Sequence, residues 1–156
     1  MDSSRYEKLG YRLTKSRYGI TAAILNKNRI LLMKRRNIPF TSHPGMWLLL
    51  SGSMKRNEKP LETTYREIEE ETRIKREELK LPFPGKKVLI VEQKMKGMWY
   101  DYFYVLKSST DRVKLDIENS GYMWIAAKEF AGLESAKAAY GDHAAMAKMI
   151  RKALDK

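Results

Sequence analysis

The chain has no cysteine and only two histidines, His43 and His143. The first absence excludes disulfides and thiolate metal sites. The second argues against a histidine-based zinc site, which needs several ligands, and both histidines read as structural or exposed. A metal, if used, is then a hard ion such as Mg²⁺ or Mn²⁺ held by carboxylate oxygens. Long hydrophobic runs are also missing. The longest, ITAAIL and MWLLL, fall far short of the ~20 apolar residues that span a bilayer. The opening MDSSRYEKLGYRLTKS lacks the apolar stretch of a secretory signal. The expectation is a cytoplasmic protein with no membrane partner.

Acids are scarce relative to bases, with 19 Asp and Glu against 31 Lys and Arg, a formal net charge of +12. Such a balance favours anionic ligands such as nucleotides, phosphates or RNA. It reads equally as dispersed surface charge that keeps a protein in solution. At 156 residues and 43% apolar composition, the chain can bury a core as a single domain. We assign a polar amino-terminal segment to residues 1–16 and one domain to residues 17–156.

Periodicity and turn residues order the chain. YGITAAIL and RILLMKRR read as strands joined at Asn26-Lys27-Asn28, a predicted hairpin. NIPFTSHPG is a loop, and Trp47 to Leu50 a short buried strand. Pro60 suits the first turn of a helix running to about Thr72. KVLIVEQ and WYDYFYVLK form a second predicted hairpin, and YMWIAA a last strand after the polar stretch SSTDRVKLDIENSG. AKEFAGL reads as a short helix and GDHAAMAKMIRKAL as a terminal one, with Asp142 near its start. Interleaved strands and helices predict an α/β or α+β fold with a mixed sheet between helices.

The scarce acids are not spread evenly. Glu58, Glu62, Glu67, Glu69, Glu70 and Glu71 place six of the nineteen within fourteen positions. On a helical wheel, Leu61, Tyr65, Ile68 and Thr72 form the stripe expected to face the core. Glu67, Glu70 and Glu71 cluster at i+3 and i+4 on a patch roughly opposite, with Glu62 and Glu69 on the flank. Three like charges on one patch repel, and a divalent ion would convert that repulsion into binding. A solvated acidic face is the other reading of the wheel.

The stretch before the helix decides between them. Gly52 is followed by five residues, Glu58, seven residues, and then Arg66-Glu67-Ile68-Glu69-Glu70-Glu71-Thr72-Arg73-Ile74. This resembles the box of the Nudix hydrolases, G-x5-E-x7-R-E-U-x-E-E-x-G-U with U aliphatic, at eight of nine specified positions. Chance would give such a near-match roughly once in 10⁵ chains of this length, so the resemblance is specific. Arg73 departs from the pattern, standing where the family has Gly and where a left-handed residue is wanted. Leu50-Ser51-Gly52 replaces the common Pro-Gly-Gly, and Lys55 and Asn57 replace a frequent Glu and Gly.

The resemblance implies a Nudix-like α/β/α sandwich with a central mixed sheet. It implies a metal-dependent pyrophosphohydrolase acting on a nucleoside diphosphate linked to another moiety and releasing a nucleoside monophosphate. Glu67, Glu70 and Glu71, with a carbonyl at Ser51 or Gly52, would bind Mg²⁺ or Mn²⁺. Arg66 and Glu58 would pair and orient the loop. The general base in the family comes either from the box, here Glu67 or Glu70, or from a loop before a late strand, here Glu118. Glu92 and Asp101 are further candidates. Arg35, which strand alternation separates from Lys34 and Arg36, is the expected substrate contact, with Phe40 and Tyr102 as aromatic candidates. Trp47 carries the same ambiguity as Phe40. Tyr100, Tyr102 and Tyr104 share one strand face, where they would stack on a base or pack against a neighbouring element or subunit. The proline spacing associated with ADP-ribose hydrolases, the array of NADH hydrolases and the coenzyme A signature are all missing. RNA is a further candidate partner and a homodimer a candidate assembly. Two alternatives to the small-nucleotide enzyme stand: RNA 5′-end hydrolysis, and a Nudix-fold nucleotide- or RNA-binding module without turnover.

Overall fold

A computed structural model describes residues 3–14, 19–38 and 41–156. After a short helix α1 (Ser4–Glu7) come β1 (Arg12–Leu13), β2 (Gly19–Asn26), β3 (Arg29–Arg35), β4 (Trp47–Leu48) and β5 (Leu50–Ser53). Helix α2 (Pro60–Thr72) follows, then β6 (Leu79–Lys80), β7 (Lys86–Glu92), β8 (Gly97–Ser108) and β9 (Asn119–Ala126). The chain closes with α3 (Glu134–Ala139) and α4 (His143–Leu154). Both expected hairpins form, β2–β3 with Leu25 opposite Ile30 and β7–β8 with Leu89 opposite Tyr100. AKEFAGL forms its short helix as a 3-10 helix over Ala127–Gly132, and ESAKAA forms α3, too short for any period to announce it. No helix among the described residues is long and apolar enough to cross a membrane.

The sheet is mixed because β2 and β8 run parallel, from Gly19 opposite Asp101 to Leu25 opposite Lys107. Every residue of β2 is buried, as a strand covered on both faces requires. The expected strand at 47–50 is in fact two. Trp47–Leu48 pairs with β3, and Leu50–Ser53 pairs with β2. Between them, the N–H of Leu49 leaves the ladder and donates to the Tyr140 hydroxyl at 3.0 Å. A cleft lies beside this crossing, lined in part by Leu48, Ser51 and Tyr140.

Helix α2 covers one face, with Ile68 against Ile20, Ala22, Leu31 and Leu50. Helices α3 and α4 cover the other, where Ala136, Met146 and Ile150 meet Leu32, Phe103 and Val105. The expected α/β/α sandwich is borne out. At the amino-terminal end, β1 adds parallel to β8, and Tyr6, Tyr11 and Leu13 pack on Leu89, Val91 and Met98.

The wheel of α2 needs correction. Its buried residues are Thr63, Thr64, Glu67, Ile68, Glu71 and Thr72, while Leu61 and Tyr65 are half-buried. The buried face is thus turned roughly a quarter-turn towards the acids. The threonines tolerate burial because their hydroxyls bond helix carbonyls, Thr64 to Pro60 at 2.8 Å and Thr72 to Ile68 at 2.6 Å. Glu67 and Glu71 tolerate it because of what surrounds them.

Candidate active site

The loop from β5 into α2 is fastened by one arginine. Arg66 Nε donates to Glu58 Oε2 at 2.7 Å and Nη2 to Glu58 Oε1 at 2.8 Å, a bidentate pair. The same guanidinium reaches Glu67 at 2.9 Å, Glu70 at 3.2 Å and the carbonyl of Ser53 at 3.0 Å. It holds the Glu58 carboxyl well below the usual carboxylate range, aided by the Lys55 N–H. The helix ends where Arg73 turns left-handed, φ 67°, donating its N–H to Glu69. The conformation is the one the box position demands, adopted here without glycine.

Glu67 packs directly against the main chain of β5. A Cβ on Gly52 would stand 2.2 Å from Glu67 Cδ, so only glycine fits. One turn along the helix, Glu71 is 3% exposed. Its Oε1 accepts from Asn119 Nδ2 at 2.8 Å, while its Oε2 is buried with no hydrogen-bond partner. Burial pushes the Glu71 carboxyl up to about 9; the Asn119 bond opposes this and the charge of Glu67 adds to it. Burial also raises Glu67, against the pull of Arg66. Two adjacent buried acids with one orphaned oxygen form a poor resting arrangement for a protein alone. They fit a divalent cation, whose charge would satisfy that oxygen and ionise both groups.

The loop before β9 completes the cluster. Carboxylate oxygens of Glu71, Asp116 and Glu118 lie within 4.8 Å of one another. Asn119 Nδ2 also reaches Asp116 at 3.3 Å, so one amide spans a helix acid and a loop acid. Arg36 clamps the loop main chain, donating to the carbonyls of Ile117 at 2.6 Å and Asn119 at 3.4 Å. Behind the acids, the cleft is lined by Arg35, Ser51, His43, Trp99 and Asp101. Arg35 donates to the Ser51 hydroxyl, and Asp101 accepts from Thr21 at 2.8 Å.

The NUDIX domain family model matches residues 15–152, most of the chain. The chain belongs to the Nudix family. By that membership it is a hydrolase of acid anhydrides. Solved structures agree on the fold. An Ap4A hydrolase of C. elegans superposes with a TM-score of 0.66 at 21% identity, covering 87% of this chain and 93% of that one. The dihydroneopterin triphosphate pyrophosphohydrolase of E. coli gives 0.62 at 21%, covering 78% and 88%. The NUDIX domain of Shewanella oneidensis NrtR, complexed with ADP ribose, gives 0.65 at 18%, covering 99% of each chain. Curated protein sequences return no match.

Within this Nudix fold, Gly52 lies against Glu67, and Arg66 bonds Glu58, Glu67 and Glu70. Among the described residues, the acids grouped within 4.8 Å of one another are Glu71, Asp116 and Glu118, without Glu67 or Glu70. Glu70 is the outermost, its side chain 52% exposed beside Arg66. Glu118 stands at the cleft mouth and Arg35 in its wall. Tyr102 does not join them. On β8, Trp99 and Asp101 face the cleft, so alternation turns Tyr102 to the other side of the sheet, into a separate cleft. Phe40 lies outside the described residues. Of the further base candidates, Glu92 is engaged by the N–H groups of His43 and Lys94. His43 bonds the Val91 carbonyl and His143 that of Phe130, both structural contacts. Asp142 stands at the start of α4, but its carboxylate accepts from Leu89 N at 2.7 Å. Sequence reasoning missed Asp116, Asn119 and Arg36. The run DIEN, a short polar loop entering a strand, is the signal that could have pointed to the first two.

Proposed function

We propose that this Nudix protein hydrolyses a nucleoside diphosphate linked to another moiety, with Mg²⁺ or Mn²⁺, and releases a nucleoside monophosphate. The observation that carries this is the orphaned Oε2 of Glu71, buried among further carboxylates beside a cleft that presents Arg35. Glu67, Glu70 and Glu71 would hold the cation, with the main chain at Gly52, and Asp116 and Glu118 adjoin Glu71. When bound, the ion neutralises phosphate charge and acidifies water. Arg35 binds phosphate oxygens. Glu118, exposed at the mouth, takes the proton as water attacks phosphorus. The anhydride P–O bond then breaks, and its electron pair leaves with the departing phosphate. Arg66 and Glu58 hold the geometry and touch no substrate. Ap4A and ADP ribose, named with the similar structures, both contain the phosphoanhydride this chemistry needs.

The test is Mg²⁺-dependent release of monophosphate from a panel of ADP-ribose, dinucleoside polyphosphates, nucleotide sugars, and oxidised and ordinary dNTPs. Glu70→Gln serves as the control. Turnover that disappears in the variant is expected. No turnover with either ion, together with tight nucleotide binding, would replace the enzyme by a binding module. A second reading, hydrolysis at a 5′-triphosphorylated RNA end, is favoured by the net charge of +12 and belongs in the same panel.

A further inference from the structure

A second cleft lies on the α2 side of the sheet, away from the cleft behind the acids. Its floor is Leu61, Leu81 and Phe83, its wall Tyr102 and Tyr104, and its rim Lys86 and Lys87. Its volume of about 700 Å³ falls in the range of ligand sites. No lining residue is acidic.

The cleft is built by strand register. Lys87 sits directly opposite Tyr102 across the β7–β8 ladder, which sets its ammonium 5.4 Å from the ring centroid. Gly85 lets the main chain lie against Tyr104, since a Cβ there would come within 2.4 Å of the ring. Lys156 stands 5.3 Å from the Phe83 centroid, and beyond the cleft Arg76 stands 4.5 Å over Tyr65. Aromatic faces and cations therefore recur together in and around the cleft. Tyr102 and Tyr104 are only half-buried, so part of each side chain remains open to a ligand.

We propose that this cleft binds single-stranded nucleic acid. Bases stack on Tyr102, Tyr104 and Phe83, while Lys86, Lys87 and Lys156 meet the phosphates. Ring faces accept any base, and the lack of acid lets a polyanion approach without repulsion. A second copy of the chain fits less well, because an isologous contact would bring the same lysines together. The proposal does not depend on what the acid cleft hydrolyses.

The experiment is fluorescence anisotropy in EDTA, with labelled 12-nucleotide single-stranded RNA, single-stranded DNA and duplex DNA. Single strands should bind more tightly than duplex, with affinity falling as salt rises. Tyr102→Ala should weaken binding about tenfold or more, Tyr102→Phe should retain it, and Lys87→Glu should weaken it and flatten the salt dependence. Glu70→Gln should bind as wild type, and Tyr102→Ala should hydrolyse small nucleotides at the wild-type rate. Binding to either type of strand supports the proposal, and the preference names the source. Four results would overturn it: no binding by the wild type in low salt, wild-type affinity in both Tyr102→Ala and Lys87→Glu, binding lost in Glu70→Gln, or a solution dimer that Tyr102→Ala dissociates.

Discussion

Asn119 donates a 2.8 Å hydrogen bond to one oxygen of Glu71, 48 residues away in sequence, and leaves the other oxygen buried without a partner. The bond joins the entry of β9 to the acid face of α2. It also makes Glu71 asymmetric, with one oxygen positioned by the protein and one available to a cation.

The burial of Glu71 gives the metal-free protein a distinctive pH dependence. Burial raises the folded Glu71 carboxyl to about 9, whereas unfolded it ionises near 4.5. Between these values the unfolded chain holds fewer protons, so stability falls as pH rises. Thermal melts in EDTA at pH 5, 7 and 9 should decline in that order. Glu71→Gln should flatten the decline, raise the melting temperature at pH 9 and abolish Mg²⁺-dependent turnover. Equal slopes in the two proteins would refute the assignment.

Arg66→Ala tests the opposite sign. Arg66 holds the Glu58 carboxyl below its ordinary range, so the pair stabilises the fold above pH 4.5 and ceases to do so as pH falls towards the depressed value. The substitution should cost about 1.5–3 kcal/mol at neutral pH and less in acid. Denaturant titrations at pH 7 and pH 3 measure both.

Gly52→Ala would place a methyl group 2.2 Å from Glu67 Cδ. The carboxylate must move. Turnover should drop at least tenfold while circular dichroism stays that of the wild type; an unchanged kcat would mean Glu67 can reposition freely.

Arg73 occupies a left-handed position, φ 67°, that costs a side-chain-bearing residue about 1 kcal/mol. Arg73→Gly should raise the melting temperature by roughly 2–4 °C and leave kcat alone.

Glu118→Gln should lower kcat by about 10²–10⁴. If raising Mg²⁺ restored the rate instead, Glu118 would be a cation ligand and not the base.

Much of this protein could be read along the chain. The box spacing identified the family and its acids, Pro60 and Thr72 bounded α2, and Asn26-Lys27-Asn28 marked the first hairpin. Each of these rests on local chemistry: the φ of proline, the turn preference of asparagine, the separation of carboxylates on one helix. Even the left-handed end at Arg73 followed from its position in the box.

What local chemistry could not decide was which way the helix faces. Leu61 and Tyr65 outweigh two glutamates on any hydrophobic scale, yet Glu67 and Glu71 are the buried pair. Burial there depends on the bare main chain of Gly52, the amide of Asn119 and the guanidinium of Arg66. Asp116 joins the cluster on a loop that Arg36 clamps, and Tyr102 leaves it because strand alternation turns it away from the face of Asp101. The sequence alone determined which groups this protein carries and their spacing. The tertiary structure decided which of them share a dry, crowded volume, because desolvation and mutual charge act through space between residues far apart in the chain.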